Sequence, residues 1–206
     1  MFPWSEQNRW QFAGFLLLIL WFGVFNGWKP LGILLAAAAV HELGHAAVMK
    51  GFGIEGRGFT LSPFGAEIHL NGLQASYPRE IMILAAGPGA DLLVGGALTL
   101  AAGRSEPLYT AAGAFWILGF FNLLPVCPLD GGQILRLLLC WFLGPGPGER
   151  ISEKISLSLG LGLAGVILWM ILRTGGNLWL LPAAVCLLPR GSAGRKSRQR
   201  PHPASC

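Results

Sequence analysis

The sequence predicts an all-α membrane protein, with about six transmembrane helices and a short membrane-associated β-hairpin after the second. Three observations indicate this class. Of the 206 residues, 53% are hydrophobic and only 12% are charged, and that charged fraction is about half the typical value for a soluble domain. Apolar runs long enough to cross a bilayer recur along the chain. The 30 Gly and 8 Trp residues are also typical of membrane helices and their interfaces.

Six apolar segments form one polytopic membrane domain over residues 1–190, and residues 191–206 form a basic cytoplasmic tail. The fourth segment is expected to be broken, and a loop over 144–154 is expected to end it. Two points leave the count open, because 129–143 could form a separate short helix and the last segment is shorter than the usual span. The expected spans are about 10–28, 31–50, 80–103, 108–125 continuing toward 143, 155–172 and 177–189.

The distribution of basic residues favours six spans with both termini in the cytoplasm. In that arrangement twelve Lys and Arg residues lie inside, and three, Lys29, Arg104 and Arg173, lie outside. This bias agrees with the positive-inside rule. If 129–143 were a full span, the orientation of all later segments would invert and the basic tail would lie outside the cell. Because no folded basic face accompanies the tail, we expect contact with the lipid bilayer and no direct binding of nucleic acid.

A stretch of alternating apolar and polar residues follows the second span. The alternation runs on both sides of Pro63-Phe64-Gly65, which is typical of a β-hairpin with a Pro/Gly turn. Lipid cannot satisfy open strand edges, so the hairpin is expected at the membrane interface or against protein. An ordinary cytoplasmic loop is the alternative.

The second span carries the chemically most informative motif, His41-Glu42-Leu43-Gly44-His45. Residues four apart lie on one face of a helix, so His41 and His45 can present two imidazoles to one metal ion. Glu42 lies close enough to take a proton from an attacking water molecule. Ionisable residues are costly inside an apolar span, which favours a metal site over a polar packing cluster or a proton relay.

A catalytic zinc site usually has three protein ligands and one open position. The candidates for the third ligand are His69, Asp91 and Asp130. Asp130 lies in the run NLLPVCPLDGG, whose two prolines are expected to break the fourth span and produce irregular backbone. The predicted topology brings Asp130 to the cytoplasmic half of the membrane, at a depth similar to that of the two histidines. Cys127 is expected to pack as a small apolar side chain.

The pairing of HELGH in the second span with NLLPVCPLDGG in the fourth resembles the site-2 protease family (M50) of intramembrane zinc metalloproteases. The resemblance covers about residues 10–190 and is strongest to members that act in sporulation. It implies one Zn²⁺ ion per chain held by His41, His45 and Asp130, with Glu42 as general base and Asn122 in a supporting role. Asp91 departs from the family pattern, in which Asn or another neutral residue is frequent.

The resemblance also implies a function in regulated proteolysis. The protein is expected to hydrolyse a peptide bond of a membrane-associated substrate, such as a sigma-factor precursor during sporulation, under the control of membrane-protein inhibitors. It implies a bacterial cell membrane, such as the mother-cell membrane around the forespore. An extended substrate is expected to add to the edge of the hairpin, positioned by Phe59, Leu61, Phe64 and Ile68.

Two other functions remain open. One is a catalytically inactive membrane scaffold, against which the intact Glu42 argues. The other is a metal-binding or transport protein, which should show polar residues on several spans. The first, fifth and sixth predicted spans have almost none, which favours the protease.

Overall fold

The computed structural model of the chain describes residues 20, 22–54, 59–62, 65–68, 76–127 and 129–174, the two strand segments and Thr174 by their backbone only. A short helical stretch over 22–26 precedes the first long helix. The labelled elements are, in chain order, α1 (Trp28–Gly51), β1 (Phe59–Ser62), β2 (Gly65–Ile68), α2 (Tyr77–Ala101), α3 (Glu106–Asn122), α4 (Asp130–Leu143) and α5 (Pro145–Thr174).

Three of these helices are long and apolar enough to cross a membrane. They comprise the 24 residues of α1, the 25 residues of α2 and the 29 residues Pro145–Arg173 of α5. These three helices confirm the prediction of a helical membrane protein. The six-span count and the positions of the termini stay predictions, because the span at 177–189, the tail and most of the span at 10–28 lie outside the described residues.

The helices expose apolar side chains and bury polar ones. Leu43 on α1, Leu93 on α2 and Ile117 on α3 are 66%, 77% and 71% exposed. His41 and Asp91, on α1 and α2, are buried. Such a surface would be unfavourable in water. In a bilayer the same arrangement is expected, since lipid solvates the apolar faces and ionisable groups need partners within the bundle.

Helix α2 is the central element and packs against α1, α3 and α4. Small residues allow the close approach of α1, as membrane helices commonly require. A Cβ atom added to Gly44 would lie 2.6 Å from the carbonyl oxygen of Ala86 and 2.9 Å from the Cβ of Ala90. The indole of Trp116 donates a hydrogen bond to Thr99 Oγ1 at 3.1 Å and so links α3 to α2.

Glycines that adopt positive φ flank both ends of helix α1. Gly27, with φ of 91°, separates the helical stretch over 22–26 from α1, and Gly53, with φ of 67°, follows its C-terminal end. The Gly53 N–H donates to the Lys50 carbonyl and the Ile54 N–H to the Met49 carbonyl, both at 3.0 Å. This pair of bonds is a Schellman ending, which satisfies two of the last carbonyls of the helix.

The broken fourth segment is confirmed in outline, whereas the loop predicted after it is wrong. Non-helical backbone at residues 123–127 and 129, which include Pro125, separates α3 from α4. Residues 144–154 are helical from Pro145 onward, so α5 starts directly after α4. Gly144, with φ of 85°, makes the turn. Pro145 lies in the first helical turn, where its missing N–H removes no intrahelical hydrogen bond.

The strands β1 and β2 pair antiparallel between α1 and α2. Phe59 lies opposite Ile68, and Leu61 lies opposite Ala66. Phe64 and the third-ligand candidate His69 lie outside the described residues. The membrane association of this segment and its predicted contacts with substrate therefore stay predictions.

Candidate metal centre

Two histidines on adjacent turns of α1 form the first half of the centre. His41 and His45 are 7% and 8% exposed, and their Nε2 atoms lie 3.1 Å apart. The i, i+4 spacing brings both rings to one helix face, as the sequence predicted. This face is turned toward α2.

Helix α2 fixes the orientation of both imidazole rings. The Nδ1–H of His41 donates to Asp91 Oδ2 at 2.7 Å, and the Nδ1–H of His45 donates to the carbonyl oxygen of Ile83 at 2.7 Å. A carboxylate and a carbonyl only accept hydrogen bonds. In the neutral rings each Nδ1 therefore carries the proton, and each Nε2 keeps a free lone pair. Metal-binding histidines commonly show this arrangement.

Asp130 completes the centre from a different part of the chain. Its Oδ2 atom lies 3.1 Å from His41 Nε2 and 3.4 Å from His45 Nε2. The same oxygen is buried and finds no hydrogen-bond donor in the described part of the chain. Three buried acceptor atoms thus point at one another, an arrangement that is repulsive unless a cation lies between them.

The donor set fits a zinc ion. His41, His45 and Asp130 each offer one ligand atom, and these atoms lie within 4.8 Å of one another. In a tetrahedral zinc site with bonds of about 2.0–2.2 Å, neighbouring ligand atoms lie roughly 3.3–3.6 Å apart, close to the separations found here. Two imidazoles and one carboxylate leave the fourth tetrahedral position open, as in catalytic zinc sites.

The position of Asp130 depends on the backbone of the broken segment. Asp130 is the first residue of α4, and Gly131 and Gly132 let the preceding chain fold back over the start of that helix. A Cβ atom on Gly131 would collide with the Leu123 carbonyl oxygen, and one on Gly132 would lie 2.5 Å from the backbone nitrogen of Cys127. No side chain larger than hydrogen fits at either position without movement of the backbone.

Contacts with α5 hold the same segment from the other side. The Cys127 N–H donates to Ser156 Oγ at 2.7 Å. Val126 is buried together with Ala164 of α5, and Ile167 packs against them. The Cys127 side chain is exposed, so the expectation that it packs in the interior is wrong. Backbone hydrogen bonding, which sequence reasoning does not reveal, anchors this residue instead.

The remaining predicted site residues lie near these elements. Glu42 is partly buried next to His41 on α1. Asn122 is the last residue of α3, and its Nδ2 donates to the Leu118 carbonyl at 3.1 Å. Asp91, a candidate ligand in the sequence, contacts the far nitrogen of His41 instead. Sequence reasoning missed Ile83, whose backbone carbonyl gives no side-chain pattern to detect.

Comparisons with known proteins agree with this geometry. Residues 98–167, which contain Asn122 and Asp130, match Peptidase family M50. The chain is 33% identical over 161 residues to Zinc metalloprotease MJ0392 of Methanocaldococcus jannaschii, covering 73% of this chain and 47% of that protein. It also matches the structure of the Site-2 Protease from Methanocaldococcus jannaschii with a TM-score of 0.63 and 28% identity, over 86% of this chain and 84% of that one. In sequence and in fold the chain is thus similar to members of peptidase family M50.

The chain is also similar to Stage IV sporulation protein FB of Bacillus subtilis. The two are 33% identical over 168 residues, which cover 76% of this chain and 57% of that protein. The chain thus spans about half the length of these curated relatives. The histidine–aspartate cluster, together with the zinc metalloprotease among the relatives, supports Zn²⁺ as the cofactor, as the sequence predicted.

Proposed function

We propose that this chain is an M50-type intramembrane zinc metalloprotease that hydrolyses a peptide bond of a membrane-associated protein. The observation that carries the proposal is the convergence of His41 Nε2, His45 Nε2 and Asp130 Oδ2 within 4.8 Å. Two of these ligands lie on α1, a helix apolar enough to cross the membrane. Ionisable groups at such a place are costly and mark functional sites.

In the proposed mechanism the metal ligands and Glu42 have separate roles. His41, His45 and Asp130 hold the zinc ion, which when bound supplies Lewis acidity toward the substrate carbonyl and water. Glu42 takes the proton of the attacking water and passes it to the departing amine. Its carboxylate is available for this role, since it has no hydrogen-bond partner within the described residues. Asn122 is proposed to support the reaction by a hydrogen bond to the substrate.

The substrate must be extended before it is cleaved, because a helix hides its carbonyls in hydrogen bonds. We propose that it adds as a strand to the edge of the β1–β2 pair. The pairing of Phe59 with Ile68 puts these two predicted contacts next to each other, and Leu61 and Phe64 complete the predicted set. Six spans with both termini in the cytoplasm would place the open side of the centre toward the cytoplasm.

A sigma-factor precursor is the proposed substrate class, with a role in sporulation. The similarity to Stage IV sporulation protein FB supports this choice. On this proposal the protein lies in a bacterial cell membrane, such as the mother-cell membrane around the forespore, and membrane-protein inhibitors control it.

The test is a cleavage assay with the full chain and a membrane-associated sigma-factor precursor, co-expressed and separated by gel electrophoresis. Glu42→Gln removes the base and keeps the size of the side chain. We expect cleavage to fall about 10²–10⁴-fold, while the purified variant retains the zinc content of the wild-type protein. Gel mobility of the product identifies which side of the precursor is removed.

The outcomes separate the three candidate functions. A scaffold would bind the precursor without cutting it in either form. A transporter would move zinc into proteoliposomes at the same rate in wild-type protein and Glu42→Gln. Undiminished cleavage by Glu42→Gln would contradict the assignment of the base.

A further inference from the structure

Asp91 is the most deeply buried charged residue of the centre, and the proposed mechanism does not use it. It lies in the interior of α2 and is 0% exposed. Its Oδ2 accepts the hydrogen bond from His41 Nδ1 at 2.7 Å, while its Oδ1 is buried and has no hydrogen-bond partner among the described residues. In the described part of the chain no Lys or Arg side chain forms an ion pair with it.

Such a carboxylate needs a positive charge nearby. An ionised carboxylate away from water is unfavourable unless it is paired or linked to a metal. One hydrogen bond from a neutral imidazole leaves Oδ1 unsatisfied. Within the described residues, a cation near Asp91 would find ligands on the opposite side of the His41 ring, where Nε2 faces Asp130 Oδ2 at 3.1 Å.

We infer that Asp91 is a positioning residue that sets the zinc affinity of the centre through His41. It holds the imidazole with Nε2 toward the metal, and its charge makes that nitrogen a stronger donor. Two carboxylates, Asp91 and Asp130, then balance the two positive charges of Zn²⁺. His45 receives only the neutral carbonyl of Ile83, so the two histidines are not equivalent. This inference rests on the zinc centre of the proposed function.

The experiment measures zinc affinity of the full-length protein in detergent by competition with a chromogenic chelator. Asp91→Ala removes both the charge and the acceptor, and we expect zinc to bind about 10–100-fold more weakly. Asp91→Asn keeps an oxygen that can accept from His41 Nδ1–H and loses only the charge. Its affinity is expected to lie between those of Asp91→Ala and the wild-type protein. Co²⁺ substituted for Zn²⁺ should show a changed visible spectrum in both variants.

A matched control comes from the same helix. Thr99, eight residues after Asp91, donates to the Gly95 carbonyl at 2.7 Å and accepts from Trp116. Thr99→Val removes these bonds two turns away from the centre. We expect its zinc affinity and Co²⁺ spectrum to match those of the wild-type protein.

Thermal unfolding with and without zinc distinguishes positioning from ordinary structural support. A carboxylate with an unsatisfied buried oxygen is costly in the metal-free protein, so Asp91→Asn, which removes the charge and keeps an acceptor for His41 Nδ1–H, should unfold there at or above the wild-type temperature. The stabilisation by saturating zinc should shrink by about 1.4–2.8 kcal/mol in Asp91→Ala, which is the 10–100-fold affinity loss expressed as free energy.

Two results would overturn the inference. Wild-type zinc affinity in both Asp91 variants would remove the positioning role. Equal destabilisation of the metal-free and zinc-loaded forms would make Asp91 a packing residue only. Neither readout uses proteolysis. A protein that binds zinc and cleaves nothing would therefore contradict the proposed function and leave this inference standing.

Discussion

The candidate zinc centre combines two regions with different backbone structure. Two of its proposed ligands lie on one uninterrupted helix, α1, and a second uninterrupted helix, α2, orients their rings. The proposed third ligand, Asp130, is the first residue of α4 and follows non-helical backbone at residues 123–127 and 129. A regular helix places two side chains on one face at a fixed spacing. A third donor must approach from another direction, and a break in the chain supplies that direction.

The two regions also differ in what stabilises their charges. At the histidines, acceptors on α2 define which nitrogen carries the proton. At Asp130, the N-terminal turn of α4 provides partial positive charge from its free N–H groups, which favours a carboxylate there. The comparison predicts that damage to the contacts that orient the histidine rings affects metal binding alone, whereas damage to the break affects both folding and metal binding.

The largest effect is expected when a ligand is removed from either region. His45→Ala and Asp130→Ala should each lower the zinc content of the purified protein from about one ion per chain to nearly none, because two protein ligands are too few for a stable site. Atomic emission of the detergent-purified protein measures this. His69→Ala is the control and should keep its zinc. Zinc retained in Asp130→Ala but lost in His69→Ala would assign the third ligand to His69 instead.

A glycine in the break should matter for both folding and metal binding. Gly132→Ala puts a methyl group 2.5 Å from the Cys127 backbone nitrogen. Backbone cannot move aside as a side chain can, so we expect a loss of about 1–3 kcal/mol in unfolding free energy, together with weaker zinc binding.

The control for Gly132→Ala is Gly113→Ala on α3, where an added Cβ meets nothing within 4 Å. It should keep the zinc affinity and be neutral or more stable by up to about 1 kcal/mol. Denaturant titration in mixed micelles measures both variants. Equal stability of Gly132→Ala and the wild-type protein would mean that the break is not tightly packed.

A glycine in the helix pair should matter for metal binding only. A Cβ atom on Gly87 would collide with Nε2 of His45, the nitrogen that faces Asp130. Because the obstacle is a side chain, the ring can turn away and the helices can stay packed. Gly87→Ala is therefore expected to weaken zinc binding about 10–100-fold with little change in the stability of the metal-free protein.

Gly89→Ala, two residues along α2, is the matched control, since an added Cβ there meets nothing within 4 Å. Isothermal titration with zinc compares the two variants. If both bind zinc like the wild-type protein, the His45 ring is not confined by α2. If Gly87→Ala instead unfolds in the absence of metal, the contrast between the two regions disappears.

The same contrast explains how far the sequence could predict the site. Residues four apart share one face of any α-helix, so the placement of His41 and His45 on one face could be predicted from the sequence. The prolines of NLLPVCPLDGG predict a break, but they do not state which acidic residue turns inward. The residue pattern alone therefore left His69, Asp91 and Asp130 as alternatives, and the family resemblance implied Asp130. In the structure, the packing of Gly131 and Gly132 against residues 123–127 helps to bring Asp130 to the histidines.

The role of Asp91 could not be predicted from the sequence, and the reason is physical. Its position eight residues after Ile83 places both on one face of α2, and this face meets the histidines. Whether a carboxylate binds a metal or the far nitrogen of a ligand depends on a few ångströms of helix packing. The prediction of a loop over 144–154 was wrong for a different reason. Pro and Gly residues usually interrupt helices, but here they occupy the turn and the first helical positions of α5.

The smallest effect is expected from the surface charges that connect α4 to α5. Arg136 Nη1 lies 3.9 Å from Glu149 Oε1, and the two side chains are 30% and 55% exposed. Exposed pairs of this kind contribute at most about 1 kcal/mol. Arg136→Gln should therefore change the unfolding free energy by less than that and leave zinc affinity unaltered, as measured by denaturant titration and chelator competition. A clear loss of zinc in Arg136→Gln would mean that surface charge, rather than the buried contacts of Val126 and the Cys127–Ser156 hydrogen bond, positions the start of α4. In that case Asp130 would be held less rigidly than the two histidines. The two regions of the centre would then differ in flexibility rather than in packing.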